Sequence, residues 1–435
     1  MTHLIRFKKS TEFIRFDAPE LFFSGNAFLP STAVVPLLQH KGTSSKQIIS
    51  PGESIHEGQL IARGFNAESA HIHSPIPGIV REYKKLPMPD GSVELSAVIN
   101  LSGSFDILGR KEANYPWYSV SESELLRVIE DKGIINTFEI PVPLAPQLRE
   151  AKKKGRPVLV IRLFDNDPTC QLDSFLVDNF LEILLEGCAV IAKSIDANTV
   201  FLVHKEKKWF SANEKKIHDI FSKRDVSMLK CSDRYPSGNS GQFNALMKTV
   251  QTVDKDTSII FIEPVTAYSV FEAVVKNKPV INRFVVVTGP ALDKPSVMNV
   301  RIGTPIGDVI EECGGFKTDP SRIIVNGLLC GQAVYDLDTP ITKYTKSLHI
   351  MDEETCPSYT VRNCIHCGRC LHVCPVSIDP QRIATSIQKE KITPKLLASI
   401  SACQYCGCCA IVCPSRIPLH HIIREADSRL KGNSK

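Results

Sequence analysis

The sequence predicts a multidomain α+β protein, and three observations predict it. Residues 1 to about 115 break into short strand-like runs separated by the turn dipeptides Pro51-Gly52, Pro77-Gly78 and Asp90-Gly91. The middle of the chain alternates apolar strand runs with helical patterns, which argues for a covered, mostly parallel sheet. The C-terminal part carries a duplicated cysteine pattern within helical sequence. Its copies are Cys364, Cys367, Cys370, Cys374-Pro375 and Cys403, Cys406, Cys409, Cys413-Pro414.

Composition narrows the class. Of 435 residues, 43% are hydrophobic and 23% charged, as in globular proteins. A net charge of +5 is too mild to argue for nucleic acid. There are 15 cysteines, and no secretory apolar region follows Met1, so a reducing, cytosolic compartment is expected. No apolar run reaches the ~18–20 residues of a membrane span. The best candidate, Ser174 to Ile195, is interrupted by Asp178, Glu182, Glu186 and Lys193, and is expected as a buried helix.

Residues 1–118 are expected to be all-β. The segments Ile49 to Ala62 and His73 to Val80 resemble the two halves of a biotinyl/lipoyl-type barrel-sandwich hybrid. The modified-lysine tip of carrier domains is missing, so a structural module is expected. His40, His71 and His73 have no cysteine or acidic pair near them at metal spacing and read as surface or packed residues.

Residues 119–280 read as an α/β domain. Ser121 caps a helix that opens with Glu122 and Glu124. Pro157–Ile161, Thr199–Val203 and Ser258–Ile262 are short apolar strands, and Ser174–Val190 and Ala267–Lys276 are helices. Residues 281–350 show a β-grasp pattern: strand Phe284–Thr288, then a helix over Ile306–Cys313 closed by Gly314-Gly315. In residues 351–435, Thr393-Pro394 supplies a cap and a first-turn proline. After Pro418, Leu419, Ile422, Ile423, Ala426 and Leu430 share one helical face.

The cysteine runs carry the chemistry. Each is C-x2-C-x2-C-x3-C-P, the bacterial ferredoxin spacing for 4Fe–4S clusters. Three thiolates on one loop take three irons of a cubane, and the C-P cysteine serves the other cluster. Cys364, Cys367, Cys370 and Cys413 are therefore assigned to one cluster, and Cys403, Cys406, Cys409 and Cys374 to the other. Zinc would need only four tetrahedral ligands and explains neither the third cysteine nor the proline. Gly368 and Gly407 occupy matching places where backbone must approach closely. Cys408 falls outside the spacing and reads as a packed or free thiol that could stand in for Cys409. Cys170, Cys188, Cys231, Cys313, Cys330 and Cys356 share no ligand spacing and read as packed thiols.

The order of modules resembles the C subunit of the Rnf electron-transport complex over nearly the whole chain. Leu37-Leu-Gln-His-Lys-Gly42, Arg234-Tyr-Pro-Ser-Gly238, Arg301-Ile-Gly-Thr-Pro305 with Cys313-Gly-Gly315, and Cys413-Pro-Ser-Arg-Ile-Pro-Leu419 look like that family's motifs. The resemblance implies an N-terminal β barrel-sandwich hybrid, an α/β domain, a β-grasp (SLBB-like) domain and a C-terminal two-cluster ferredoxin-like helical domain. It also implies a peripheral protein on the cytoplasmic side of a membrane complex. Such a protein passes electrons from NADH on FMN through its clusters, coupled to sodium or proton movement.

Three departures fall near the implied nucleotide site. The family's glycine-rich loop appears as Gly133-Ile-Ile-Asn-Thr-Phe-Glu-Ile-Pro141, which keeps one glycine. Phosphate cradling needs close-packed backbone N–H groups, which Ile134 and Phe138 would obstruct and Glu139 would oppose by charge. The acidic stretch appears as Asp165-Asn-Asp-Pro168, read as a turn with a helix cap. The family's Gly-Gly-Pro-Met-Met-Gly appears as Asn326-Gly-Leu-Leu-Cys-Gly331. FMN and NADH binding is therefore expected to be lost. The expected partners are membrane subunits and a soluble electron donor, a ferredoxin, a flavodoxin or NADH. Two alternatives stay open at this point: a subunit still oxidising NADH through FMN, and a docking scaffold with structural clusters.

Overall fold

The structure, a computed structural model, describes residues 3–4, 19–103, 114–232, 234–247, 257–389 and 393–432, with side chains of the last helix described up to Asp427. Leu430, expected on the buried face of that helix, and the polar tail lie outside the described side chains.

The barrel is built from two small sheets. Thr32–Pro36, Val93–Leu101, Gly78–Pro87 and Ser54–Ile55 pair antiparallel in that order. Lys46–Gln47, Leu60–Arg63 and Ile72–His73 form the second sheet. Val35, Ile55, Ile61, Ile72, Ile76 and Ile99 pack into its core. The segment ahead of the barrel pairs elsewhere. His3–Leu4 runs parallel to Asp225–Lys230, and Phe22–Asn26 runs parallel to Ser296–Arg301. Within the span 1–118 the barrel strands thus begin at Thr32, because the earlier strands find their partners on the edges of two other sheets.

The central sheet is parallel throughout. Its order is His3–Leu4, Asp225–Lys230, Thr199–His204, Pro157–Arg162, Ser258–Ile262. The inner strands are continuous apolar runs, as a sheet covered on both faces requires. One face carries the helices Glu122–Asp131, Leu144–Lys154, Leu172–Ser194 and Pro264–Val274. The other packs on Phe138, Phe243 and Met247. Ser121 Oγ accepts the Glu124 N–H and caps the first of these helices. Leu172–Ser194 is the buried helix expected, and Gly187 lets it cross its neighbour. A Cβ there would lie 2.1 Å from the Ala267 carbonyl oxygen. Among the described residues no helix is long and apolar enough to cross a membrane.

The β-grasp unit is a six-stranded sheet with the helix Ile306–Glu312 over it. Gly303, at φ +91°, brings its backbone against Val34 of the barrel, and Arg301 forms an ion pair with the buried Glu57. The last unit consists of short helices around Cys374, Ile378, Ile383, Leu396, Ile400 and Ile423. Thr393 Oγ1 caps Pro394–Ser401 by accepting the Leu396 N–H, as the sequence indicates.

Candidate metal centre

The two cysteine runs fold into matching loops. Three positions of each take left-handed φ: His366, Gly368 and Ser377 in the first, Tyr405, Gly407 and Arg416 in the second. Such values are unfavourable for side-chain-bearing residues and persist where a loop geometry demands them. The curl turns backbone N–H groups onto sulfur. The His366 N–H points to Cys364 Sγ at 3.4 Å, the Tyr405 N–H to Cys403 Sγ at 3.4 Å, and the Ile417 N–H to Cys413 Sγ at 3.5 Å.

The structure brings Cys374 from the first run into one pocket with Cys403, Cys406 and Cys409 from the second. Pro375, Ile378, Pro380 and Ile423 supply apolar wall. Burial pushes the Cys403 thiol up to about 11 and raises Cys374 as well. A hydrogen bond with Cys408 lowers Cys406. Thiolates crowded in an apolar pocket need a cationic group to balance them, which a polyiron core provides. Among the described residues no group of three or more His, Cys, Asp and Glu is placed to hold a single metal ion. In a cubane each iron takes its own thiolate, so spaced donors suit it. The donor set fits a 4Fe–4S cluster.

The other four cysteines are less gathered. Cys367 and Cys413 line an open surface pocket with Arg369, His372 and Ile411. Cys364 and Cys370 do not line it. Cys370 packs near Cys409 and Leu419. Cys408 is buried with Tyr235, Val373 and Leu329. Cys170, Cys188, Cys231 and Cys313 are buried, whereas Cys330 and Cys356 are partly so.

The second run is docked on the α/β and β-grasp units. Asp167 accepts the N–H groups of Leu329 and Cys330 with one oxygen and Thr169 with the other. It thereby holds the loop Asn326–Gly331 in place. Gly407 rests on that loop: a Cβ there would lie 2.5 Å from the Leu329 carbonyl oxygen. Tyr235 donates to the Cys406 carbonyl at 2.7 Å, and Arg424 donates to the Cys330 carbonyl at 2.8 Å. Asp165 accepts the Asp173 and Ser174 N–H groups and caps the long helix. Sequence reasoning saw the Asp165 cap but missed the grip of Asp167 on a distant loop, because no local spacing signals it.

The loop Gly133–Pro141 is occupied by its own side chains. Gly133, at φ +69°, lies against the barrel, where a Cβ would meet the His71 carbonyl oxygen at 2.2 Å. The Thr137 N–H donates to Thr266 and the Phe138 N–H to Asn136. The Phe138 ring stacks on Phe261 at 5.4 Å, with the Arg162 guanidinium 4.2 Å above it. Glu139 accepts both the N–H and the hydroxyl of Ser240, at the start of the helix Ser240–Met247. A phosphate cradle needs free N–H groups and a positive helix end. Here the Thr137 and Phe138 N–H groups are bonded to side chains and the Glu139 carboxylate occupies the start of Ser240–Met247, so the loop does not fit FMN phosphate.

His40, His71 and His73 pack around the buried Lys343. Its Nζ donates to the His71 and Gly133 carbonyls at 2.7 and 2.6 Å. His40 contacts the Glu68 carbonyl, and His71 Nδ1 accepts the Gly64 N–H.

Comparison with known proteins gives three family models in chain order. The RnfC barrel sandwich hybrid domain matches residues 25–104, the SLBB domain 284–333, and the 4Fe-4S dicluster domain 360–417. The C subunit of the ion-translocating oxidoreductase complex of Methanosarcina acetivorans is 27% identical, over 82% of this chain and 82% of that protein. The C subunit of the Na(+)-translocating ferredoxin:NAD(+) oxidoreductase complex of Acetobacterium woodii is 24% identical, over 83% and 82%. The proton-translocating counterpart of Clostridium ljungdahlii is 25% identical, over 83% and 80%. The NAD+-reducing [NiFe]-hydrogenase in its H2-reduced state shares the fold at a TM-score of 0.51 and 14% identity, covering 73% of this chain and 68% of the hydrogenase chain. Barrel, SLBB and dicluster modules matched in this order, with C subunits of such complexes aligned over four-fifths of both chains, support a member of the RnfC family.

Proposed function

We propose that this chain is the electron-transfer subunit of an Rnf-type ion-translocating oxidoreductase, held at the cytoplasmic side of a membrane through its partner subunits. The observation that carries this reading is the crosswise pocket, in which Cys374 of one run joins Cys403, Cys406 and Cys409 of the other. On this reading these four hold one 4Fe–4S cluster, and Cys364, Cys367, Cys370 and Cys413 hold the second. Such a cluster, when bound, accepts and returns single electrons. The chain's own residues set where electrons enter and leave. The second run is packed against the Asn326–Gly331 loop, facing the interior. The start of the first run is exposed, with Cys367 at the surface and Ile365 67% accessible, although its Cys374 is buried. It therefore faces a partner, either a membrane subunit or a soluble donor such as a ferredoxin or flavodoxin.

On this reading the chain is four units, 1–118, 119–280, 281–350 and 351–435, with the first as a structural barrel module. The Gly133–Pro141 loop supports a subunit that does not bind FMN or oxidise NADH itself, because the Thr137 and Phe138 N–H groups are engaged by side chains and Glu139 adds a carboxylate there. Anaerobic titration tests both parts. Dithionite should bleach the cluster absorbance reversibly, stoichiometric NADH should not, and denatured protein should release no flavin. Bleaching by NADH or release of FMN would contradict the flavin-free reading. Clusters that do not cycle would contradict the electron-transfer reading.

A further inference from the structure

His420 is the second residue of the helix Leu419–Gly432. Its side chain lines the same pocket as Cys374, Cys403, Cys406 and Cys409. Its Nδ1 is buried and has no hydrogen-bond partner among the described residues. Leaving a buried polar nitrogen unpaired costs about 1–3 kcal/mol. A nitrogen in that position calls for a partner in the pocket it lines. The pocket's own sulfurs and a cluster's sulfides are acceptors, so the matching imidazole tautomer carries its proton on Nδ1. The helix fixes the ring: Leu419 and Ile423 are buried on either side, and the His421 ring lies against it at 3.9 Å between centroids. The other orphaned atom of the pocket, Gln404 Oε1, accepts and cannot serve sulfur, and the Gln404 amide nitrogen is engaged by Asn239.

We propose that His420 donates its Nδ1–H to a sulfur of the 4Fe–4S cluster in the second pocket and raises that cluster's reduction potential. This rests on the cluster reading above. A donated hydrogen bond stabilises the more negative, reduced cluster, and such bonds are among the levers by which proteins set cluster potentials. The histidines nearest the first run differ: His372 lines the open pocket with Cys367 and Cys413 but is exposed to water, as is His366. His420 therefore separates the potentials of two clusters that have the same kind of ligands.

The test uses the full chain purified anaerobically, with His420→Leu and His420→Asn. The Asn amide nitrogen reaches about where Nδ1 sits, whereas Leu keeps the volume and removes the donor. In a redox titration followed by EPR, the Leu variant should keep its iron, one midpoint should move negative and the other should stay. The Asn variant should retain most of the native potential. Pulsed EPR of the reduced native protein should show a weak, solvent-exchangeable proton coupling and a weak coupling to labelled histidine nitrogen. An unmoved midpoint in an iron-replete Leu variant overturns the inference, as does an Asn variant shifted as far as Leu. So does a nitrogen coupling of directly bound strength. If the Leu variant loses the cluster, the native spectrum decides, and lack of the exchangeable coupling there overturns it. Native protein with only one cluster's worth of iron would instead sink the cluster reading, which separates the two failures.

Discussion

Asp167 accepts the backbone N–H of Cys330 at 2.8 Å, across 163 positions of sequence. Cys330 in turn offers its carbonyl to Arg424 of the last helix and lies 3.2 Å from the Tyr235 hydroxyl. The Asp165–Pro168 turn, the Tyr235 loop and the last helix thus meet at one residue. Burial raises the Asp167 pKa, and its hydrogen bonds to Thr169, Leu329 and Cys330 oppose that rise.

Asp167→Ala removes four hydrogen bonds to a carboxylate. Bonds to charged groups contribute about 1.5–3 kcal/mol each, and partners left buried add to the loss. The variant should melt well below the native protein. Iron should leave one cluster faster than the other on exposure to air, as iron release followed by a chelator would show.

Gly407→Ala and Gly368→Ala form a matched pair. Both glycines have left-handed φ, +75° and +72°, so both substitutions carry a backbone strain of about 1 kcal/mol. Only the Gly407 Cβ meets the Leu329 carbonyl, whereas the Gly368 Cβ meets nothing within 4 Å. Gly407→Ala should therefore destabilise the protein more and loosen the second cluster, with Gly368→Ala near native by thermal unfolding. Equal effects would show that the run is not docked as described.

The pairing of Glu263 gives a further test. It is fully buried, accepts Arg162 at 3.0 Å and Lys346 at 2.6 Å, and also takes the Thr137 hydroxyl. Glu263→Gln leaves the buried Arg162 facing a neutral amide, while Lys346 keeps Asp173 at 3.3 Å. Breaking such a pair costs about 3–5 kcal/mol. Denaturant unfolding should show a loss of that order, and a change within error of zero would contradict the network.

Lys343 supplies a pH dependence. Burial lowers its pKa from 10.5 to about 7, and its ammonium has two carbonyl partners. Between about pH 7 and 10.5 the unfolded chain binds a proton that the folded chain does not, so this group makes stability rise with pH across that window. Lys343→Met should flatten the rise. Comparing the two unfolding free energies at pH 7 and pH 9 measures it, and parallel profiles would contradict it.

Local patterns were legible in the sequence, and distant pairings were not. The cysteine loops could be read because ligand spacing is a property of a dozen residues, as could the Thr393 cap and the Pro157–Arg162 strand. The partners of Phe22–Asn26 could not, because an edge strand carries no sign of which sheet it joins. Gly133 is instructive in a different way. It looks like the remnant of a phosphate loop, yet the structure needs it because the His71 carbonyl lies where a Cβ would go. His420 had no motif at all; only folding places it beside sulfurs from two separate runs.

The central claim is that eight cysteines hold two cubanes crosswise, and metal analysis of anaerobically prepared protein tests it most directly. The account predicts about eight irons and eight acid-labile sulfides per chain, falling to about four in Cys403→Ser and likewise in Cys374→Ser, because these two residues share a cluster. About four irons in the native chain, or no loss of iron in Cys374→Ser, would contradict it.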